Sequence, residues 1–314
     1  MSRVPRRHVM QPRRARRWGA LLCVLAAGLV SGTLAQVPEG ALTGTLAKAR
    51  TRGEVLVGYR DASIPLSYVS ARGEPIGYSI DICRAIVDAM STEVGRDLVI
   101  RFVPVTSETR INAVTSGQVD LECGSTTSNV ERKKVVDFSP VMFIAGTKLM
   151  VKAGSPIRSF RDLGGRTVVA TSGTTNEKTM RELAARFKID MKIVTGSDHA
   201  DSYAQLASAK ADAFATDDVL LYGFIALNRA QDQFVVVGDF LSYDPYGIMF
   251  RRNDPQLAAL VTSTMHELAA SRELEQTYTK WFLRQLPTGQ RLNIPMSAQL
   301  AEVIRIMGGD PASQ

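Results

Sequence analysis

Short apolar runs alternate with amphipathic segments along most of the chain. Residues 55–59 (VLVGY) have the β-branched content and length of a strand. Residues 78–94 place Ile80, Ile82, Ile86, Val87 and Met90 at helical spacing. A strand over 98–103, a short helix over 110–115 and a strand over 119–123 that stops at Gly124 follow. After an apolar, β-prone stretch over 143–151 the alternation resumes. It predicts strands at 167–170, 192–194, 211–215 and 234–237, and helices at 176–187, 201–207 and 219–227. Pro255 marks a helix start, helices continue to about residue 284, and a looser tail follows. Strands and helices in this order predict a mostly parallel α/β architecture.

One stretch is unusually polar for a junction between two elements. DLECGSTTSNVERKK places hydroxyls and amides between the strand ending at Cys123 and a basic run. Ser128 with Glu131 has the form of a capping box, which predicts a helix beginning near Asn129. Ser125, Thr126 and Thr127 then lie beside free amides at a helix N-terminus, where an anion is favoured. TSGTTNEK repeats the theme, with a Thr174/Glu177 capping box. SGQVDLECGS and SAKADAFATD also share a layout. Ligands of open α/β sheets bind outside the carboxyl ends of the strands. Two such halves therefore suggest a ligand held between two lobes.

The length of 314 residues suggests roughly two domains. The formal charge of +7 invites a nucleic-acid reading, but residues 1–35 hold seven arginines and no acid. The remainder carries 31 basic and 31 acidic residues. A neutral body gives no support to nucleic-acid binding. The basic start precedes an apolar run over 19–30, and Thr33 and Ala35 fit the −3 and −1 positions of a cleavage site. Residues 1–35 are therefore expected to be a signal peptide cut near Ala35, by either general or twin-arginine export, and the mature chain to be soluble. Cys23 leaves with it. Cys83 and Cys123 remain, either as a bridge in an oxidising compartment or as two buried thiols.

Searches for catalytic chemistry find little. No Gly-x-Gly-x-x-Gly, Walker loop or Gly-x-Ser-x-Gly is present. His199 and His266 alone survive processing, so a histidine-rich metal site is excluded. His199, beside Asp198 in SDHADS, reads as a solvated residue in a first helical turn, with membership of a hydrolytic triad as the alternative. His266 reads as structural. Anion-binding groups are better represented: Arg60 after the first strand, Ser107 and Arg110 at i, i+3 on the first turn of a helix, and Arg132 after the hydroxyl cluster.

The blocks VGYRDASIPLSY, GYSIDIC, VPVTSETRI, DLECGSTTSNVER, VVATSGTTNEK, GSDHADSY, FATDDVLL and DPYGIMFR occur in this order. In them the chain resembles the periplasmic glutamate/aspartate-binding proteins of bacterial ABC transporters, over roughly residues 42–300. The resemblance implies a bilobed type II periplasmic-binding-protein fold with two α/β lobes joined by a two-crossover hinge. Lobe one would comprise 36–145 and 246–314, and lobe two 146–245, with crossings near 144–146 and 245–247. It implies Arg60, Ser107 and Arg110 as partners of the ligand's side-chain carboxylate, with His199 closing from lobe two. Ser125, Thr127, Arg132 and Thr175 would hold the backbone end, chiefly its α-carboxylate, and Asp217 the ammonium. The site charge expected from three arginines and one aspartate is +2. L-glutamate or L-aspartate and a membrane ABC permease are the implied partners, for a monomer in the periplasm with no cofactor, no metal and no catalytic residue. Two alternatives share the fold: a sensing partner of a membrane receptor, and an enzyme such as a periplasmic cyclohexadienyl dehydratase.

Overall fold

The computed structural model describes residues 40–309; the expected signal peptide, 1–35, lies outside the described residues. Two five-stranded sheets organise the chain. The first has the order Val99–Pro104, Glu54–Tyr59, Leu121–Glu122, Met249–Arg251, Val136–Phe138. The second has the order Lys192–Gly196, Thr167–Thr171, Ala213–Asp217, Thr147–Lys152, Phe234–Val237. Residues 168–171 and 213–217 are buried throughout, as strands covered on both faces must be.

The sheets are mostly parallel, as expected: four strands of each run one way, and a single antiparallel strand is set among them, Met249–Arg251 in the first and Thr147–Lys152 in the second. Thr147–Lys152 runs in directly from the other lobe, and Met249–Arg251 runs back, so neither needs the crossover helix that parallel neighbours require. The chain passes between the lobes through Phe143–Ala145 and Asp244–Tyr246. These pair antiparallel, Ala145 with Asp244 and Phe143 with Tyr246.

Helix Tyr78–Val94 buries Ile82, Ile86, Val87, Met90 and Val94, and Gly95 ends it at a φ of 65°. Burying a large apolar side chain contributes roughly 1.5–3 kcal/mol, so this stripe fixes the helix to the first sheet. Helix Pro255–Ala270 packs beside it, its first turn capped by Asp254. Tyr278 and Phe282 stack at 4.3 Å, and Phe282 stacks on Phe143 at 5.0 Å. The C-terminal segment is thereby anchored to the hinge. The loose tail expected there contains a helix, Ala298–Met307, capped by Ser297. None of the described helices is long and apolar enough to cross a membrane.

Cys83 and Cys123 are bridged, with Cα atoms 6.3 Å apart. The bridge ties the second turn of helix Tyr78–Val94 to the end of strand Leu121–Glu122. Alkylation of the exported protein under denaturing conditions is expected to label neither cysteine; labelling of both would contradict the bridge.

Candidate functional site

Strand ends deliver most of the predicted residues to one corner between the sheets. Arg60 follows Glu54–Tyr59 and is 2% exposed. Its backbone N–H donates to Ser67 Oγ at 2.9 Å, and its Nη2 to Ser107 Oγ at 2.7 Å. Ser107 lies in the turn before helix Arg110–Ser116, ahead of the first helical turn in which it was expected. Arg110 opens that helix, and its Nη1 donates to Thr126 Oγ1 at 2.7 Å and to the Ser125 carbonyl at 3.2 Å. Arg132 Nη1 donates to the Thr127 carbonyl at 2.9 Å. Ser125 Oγ donates to Ser63 Oγ.

The second lobe brings Thr175, His199 and Asp217. Thr175 opens helix Thr175–Phe187, and its hydroxyl lies 3.2 Å from that of Thr127 across the cleft. His199 opens helix His199–Ala207 and is 2% exposed, not solvated as its position suggested. Its Nδ1 is 2.8 Å from Thr171 Oγ1. Asp217 ends strand Ala213–Asp217, accepts from Asn176 Nδ2 at 2.8 Å, and takes the Tyr246 hydroxyl hydrogen.

The Ser128/Glu131 capping box is absent. Asn129 Oδ1 accepts from the Arg132 N–H at 2.9 Å, and only a 3-10 turn, Arg132–Lys134, forms. Glu131 instead reaches Lys178 of the other lobe at 2.9 Å. Thr174 does cap its helix, accepting from the Glu177 N–H, but the Glu177 carboxylate turns to the Gly173 N–H. A contact to the other lobe draws Glu131 away from the first box, whereas in the second the Glu177 carboxylate takes the N–H one residue before the cap.

Two buried carboxylates escaped the sequence reading. Glu122 is fully buried among the arginines and accepts from Thr126 Oγ1 at 2.6 Å. The missing side chain of Gly124 makes room for it, because a Cβ there would press on Glu122 Oε1 and lie 2.8 Å from Arg60 Cγ. Asp244 is 3% exposed and 3.2 Å from Thr127 Oγ1. Glu122 and Asp244 join Asp217 at the corner, so the single acid from which the expected site charge of +2 was counted is corrected to three.

Burial lowers all three arginines. Arg60 and Arg132 fall to about 9, with the like charge of Arg110 as the next cause. Arg110 falls through burial, while Glu122 acts in the opposite direction. All three keep their charge at neutral pH. Burial and then the charges of Arg60 and Arg110 hold His199 well below its usual value, so it is neutral. Burial and then Asp244 push Asp217 up to about 7.

Arg60 Nη1 and Arg110 Nε are buried without a hydrogen-bond partner. A buried donor left unsatisfied costs roughly 1–3 kcal/mol, more when charged. A carboxylate offers the planar, two-oxygen acceptor that a guanidinium fork matches. Unpartnered guanidinium donors of Arg60 and Arg110 therefore lie at the corner with Glu122 beside them, and Asp217 and Asp244 reach it from the second lobe and the hinge.

The family model for bacterial extracellular solute-binding proteins, family 3, matches residues 55–284. An L-glutamate/L-aspartate-binding protein of Pseudomonas aeruginosa is 42% identical over 90% of this chain and 94% of its own length. A glutamate/aspartate import solute-binding protein of Escherichia coli is 38% identical, covering 93% and 95%. Among solved structures, an ancestral amino acid-binding protein, a precursor of cyclohexadienyl dehydratase, superposes with a TM-score of 0.65. It is 30% identical and covers 76% of this chain and 99% of its own. The two sheet-based lobes are thus those of a shared type II binding-protein fold, and the chain belongs to the bacterial extracellular solute-binding proteins, family 3.

Proposed function

We propose that this chain captures glutamate or aspartate between its lobes and delivers it to an ABC importer in the periplasm. The observation that carries this reading is the convergence of three buried arginines at one corner with Asp217 facing them from the second lobe. An amino dicarboxylate presents two anions and one cation, and such a site offers each a partner of opposite charge. Arg60, Ser107 and Arg110, with His199, take the side-chain carboxylate. Arg132, Ser125, Thr127 and Thr175 take the backbone end, chiefly the α-carboxylate, with Thr127 and Ser125 oxygens also open to the ammonium, whose counter-charge is Asp217. The lobes divide at about residues 145 and 246, where the chain crosses, and the mature protein acts as a monomer after loss of residues 1–35.

A second reading draws on Asp217. A buried carboxyl pushed up to about 7 has the character of a general acid, and the dehydratase precursor shares the fold. The close relatives are binding proteins, and incubation with chorismate-derived acids is expected to give no turnover.

Calorimetric titration with glutamate, aspartate, glutamine and asparagine tests the main reading. The two acids are expected to bind far more tightly than their amides and to raise the melting temperature by mass action. Equal affinities for acids and amides would refute the side-chain assignment. No binding by any of the four would refute the function.

A further inference from the structure

Asp217 and Asp244 are each about 3% exposed and reach one corner from different elements, a second-lobe strand end and a hinge strand. Neutral groups link them. Asn176 Nδ2 donates to Asp217 Oδ1 at 2.8 Å and to Thr147 Oγ1 at 2.7 Å. Ser242 Oγ, 2.7 Å from Thr147 Oγ1, donates to Asp244. The Tyr246 hydroxyl donates to Asp217, and that of Thr127 lies 3.2 Å from Asp244 Oδ1. No lysine or arginine among the described residues bonds to either carboxylate. The charged groups acting on this corner are Asp218, next to Asp217, and Arg110 and Arg132 from the first lobe.

Two acids buried among neutral donors repel when both are ionised, and the pair then holds its last proton to higher pH. The bound amino acid brings a single cation to them. We propose that Asp244 is a second carboxylate of the ammonium-binding end: it takes the Thr127 hydroxyl hydrogen, leaving that oxygen as an acceptor for the ammonium. Asp217, repelled by Asp244, holds a proton that departs to solvent when the ammonium arrives. This inference rests on the chain binding an α-amino acid. In the exchange the carboxylic O–H bond breaks, the proton passes to buffer, and the freed carboxylate accepts from the ligand's N–H. No covalent bond to the ligand forms. The value near 7 for Asp217 agrees with a proton held there close to neutrality.

The sign follows from linkage. The ammonium stabilises the ionised carboxylate, so affinity rises with pH up to about 7 and levels off above it. His199, at the other end, is neutral, and any proton it gained on binding would enter with the opposite sign.

The experiment is titration of the purified protein with L-glutamate in buffers of matched pH and different ionisation enthalpy. Release of roughly 0.9, 0.5 and 0.1 proton per ligand is expected at pH 6, 7 and 8, with affinity about tenfold weaker at pH 6 than at pH 8. Asp244→Asn, which removes the repelling charge, should move the midpoint of release to lower pH. Tyr246→Phe, which removes a donor from the Asp217 carboxylate, should move it to higher pH. A packing role for either residue predicts no such opposed shifts. Binding heat that is independent of buffer at all three pH values overturns the proposal. So does net proton uptake, or an unchanged midpoint in Asp244→Asn. Absence of binding heat in every buffer overturns the proposed function itself, an outcome distinct from binding without release.

Discussion

Arg110→Ala is expected to weaken glutamate binding by about 30-fold to several thousand-fold. Truncating one partner of a buried, hydrogen-bonded charge pair costs roughly 2–5 kcal/mol, and each 1.4 kcal/mol is about tenfold in affinity. Arg110 is 2% exposed and anchored through Nη1 to Thr126 and the Ser125 carbonyl, so no solvent screens the loss. Glutamine carries no side-chain charge for Arg110 to match, and the preference for glutamate over glutamine should narrow in this variant. Arg132→Ala should behave differently. Both ligands present the same α-carboxylate to Arg132, so both should weaken alike and the preference should persist. Competition of the two ligands in each variant checks the assignment. Narrowed selectivity in Arg132→Ala with selectivity intact in Arg110→Ala would show that the two ends are exchanged.

A second large effect is expected where no charge is involved. Gly223 lies inside helix Asp218–Leu227 of the second lobe, and a Cβ there would press on the Ile64 carbonyl oxygen of the first lobe and lie 2.9 Å from its carbon. Alanine is a better helix former than glycine by roughly 0.8–1.0 kcal/mol, so Gly223→Ala should not harm the helix. It should instead hold the lobes apart. Overpacking costs about 1–3 kcal/mol, which corresponds to about 5- to 150-fold weaker glutamate binding. Affinity and melting temperature measured together test this. Binding as tight as in the parent protein would show that the backbone approach at Gly223 is not needed for closure.

Local chemistry made some of the molecule legible and concealed the rest. The strand at 167–170 and the helix at 78–94 could be read because their apolar patterns are set within each segment. Glu122 could not. It is the polar residue in an alternating stretch, and Arg60, Arg110 and Arg132, which bury it, come from three other segments. Asp244 was hidden similarly, since it bonds to Ser242 and, from the first lobe, to Thr127. His199 had the local signature of an exposed cap neighbour, and only its place between Thr171 and two first-lobe arginines buries it. The helix Ala298–Met307 did leave a signal. Leu300, Ile304 and Met307 follow helical spacing behind Ser297, which caps the helix.

The placement of Met249–Arg251 bears on how the chain assembles as it is made. This strand sits inside the first sheet, between Leu121–Glu122 and Val136–Phe138. All strands of the second sheet lie between residues 147 and 237. A chain synthesised from its N-terminus therefore has a full complement of second-sheet strands while the first sheet still lacks an interior one. Contacts distant in sequence form slowly because the intervening loop must first be closed. The half-built first sheet exposes the open flanks of Leu121–Glu122 and Val136–Phe138 until about 110 further residues have been added. A nascent chain arrested just short of residue 249 would have the carboxylates of Asp217 and Asp244 in hand, and no finished floor beneath the arginines.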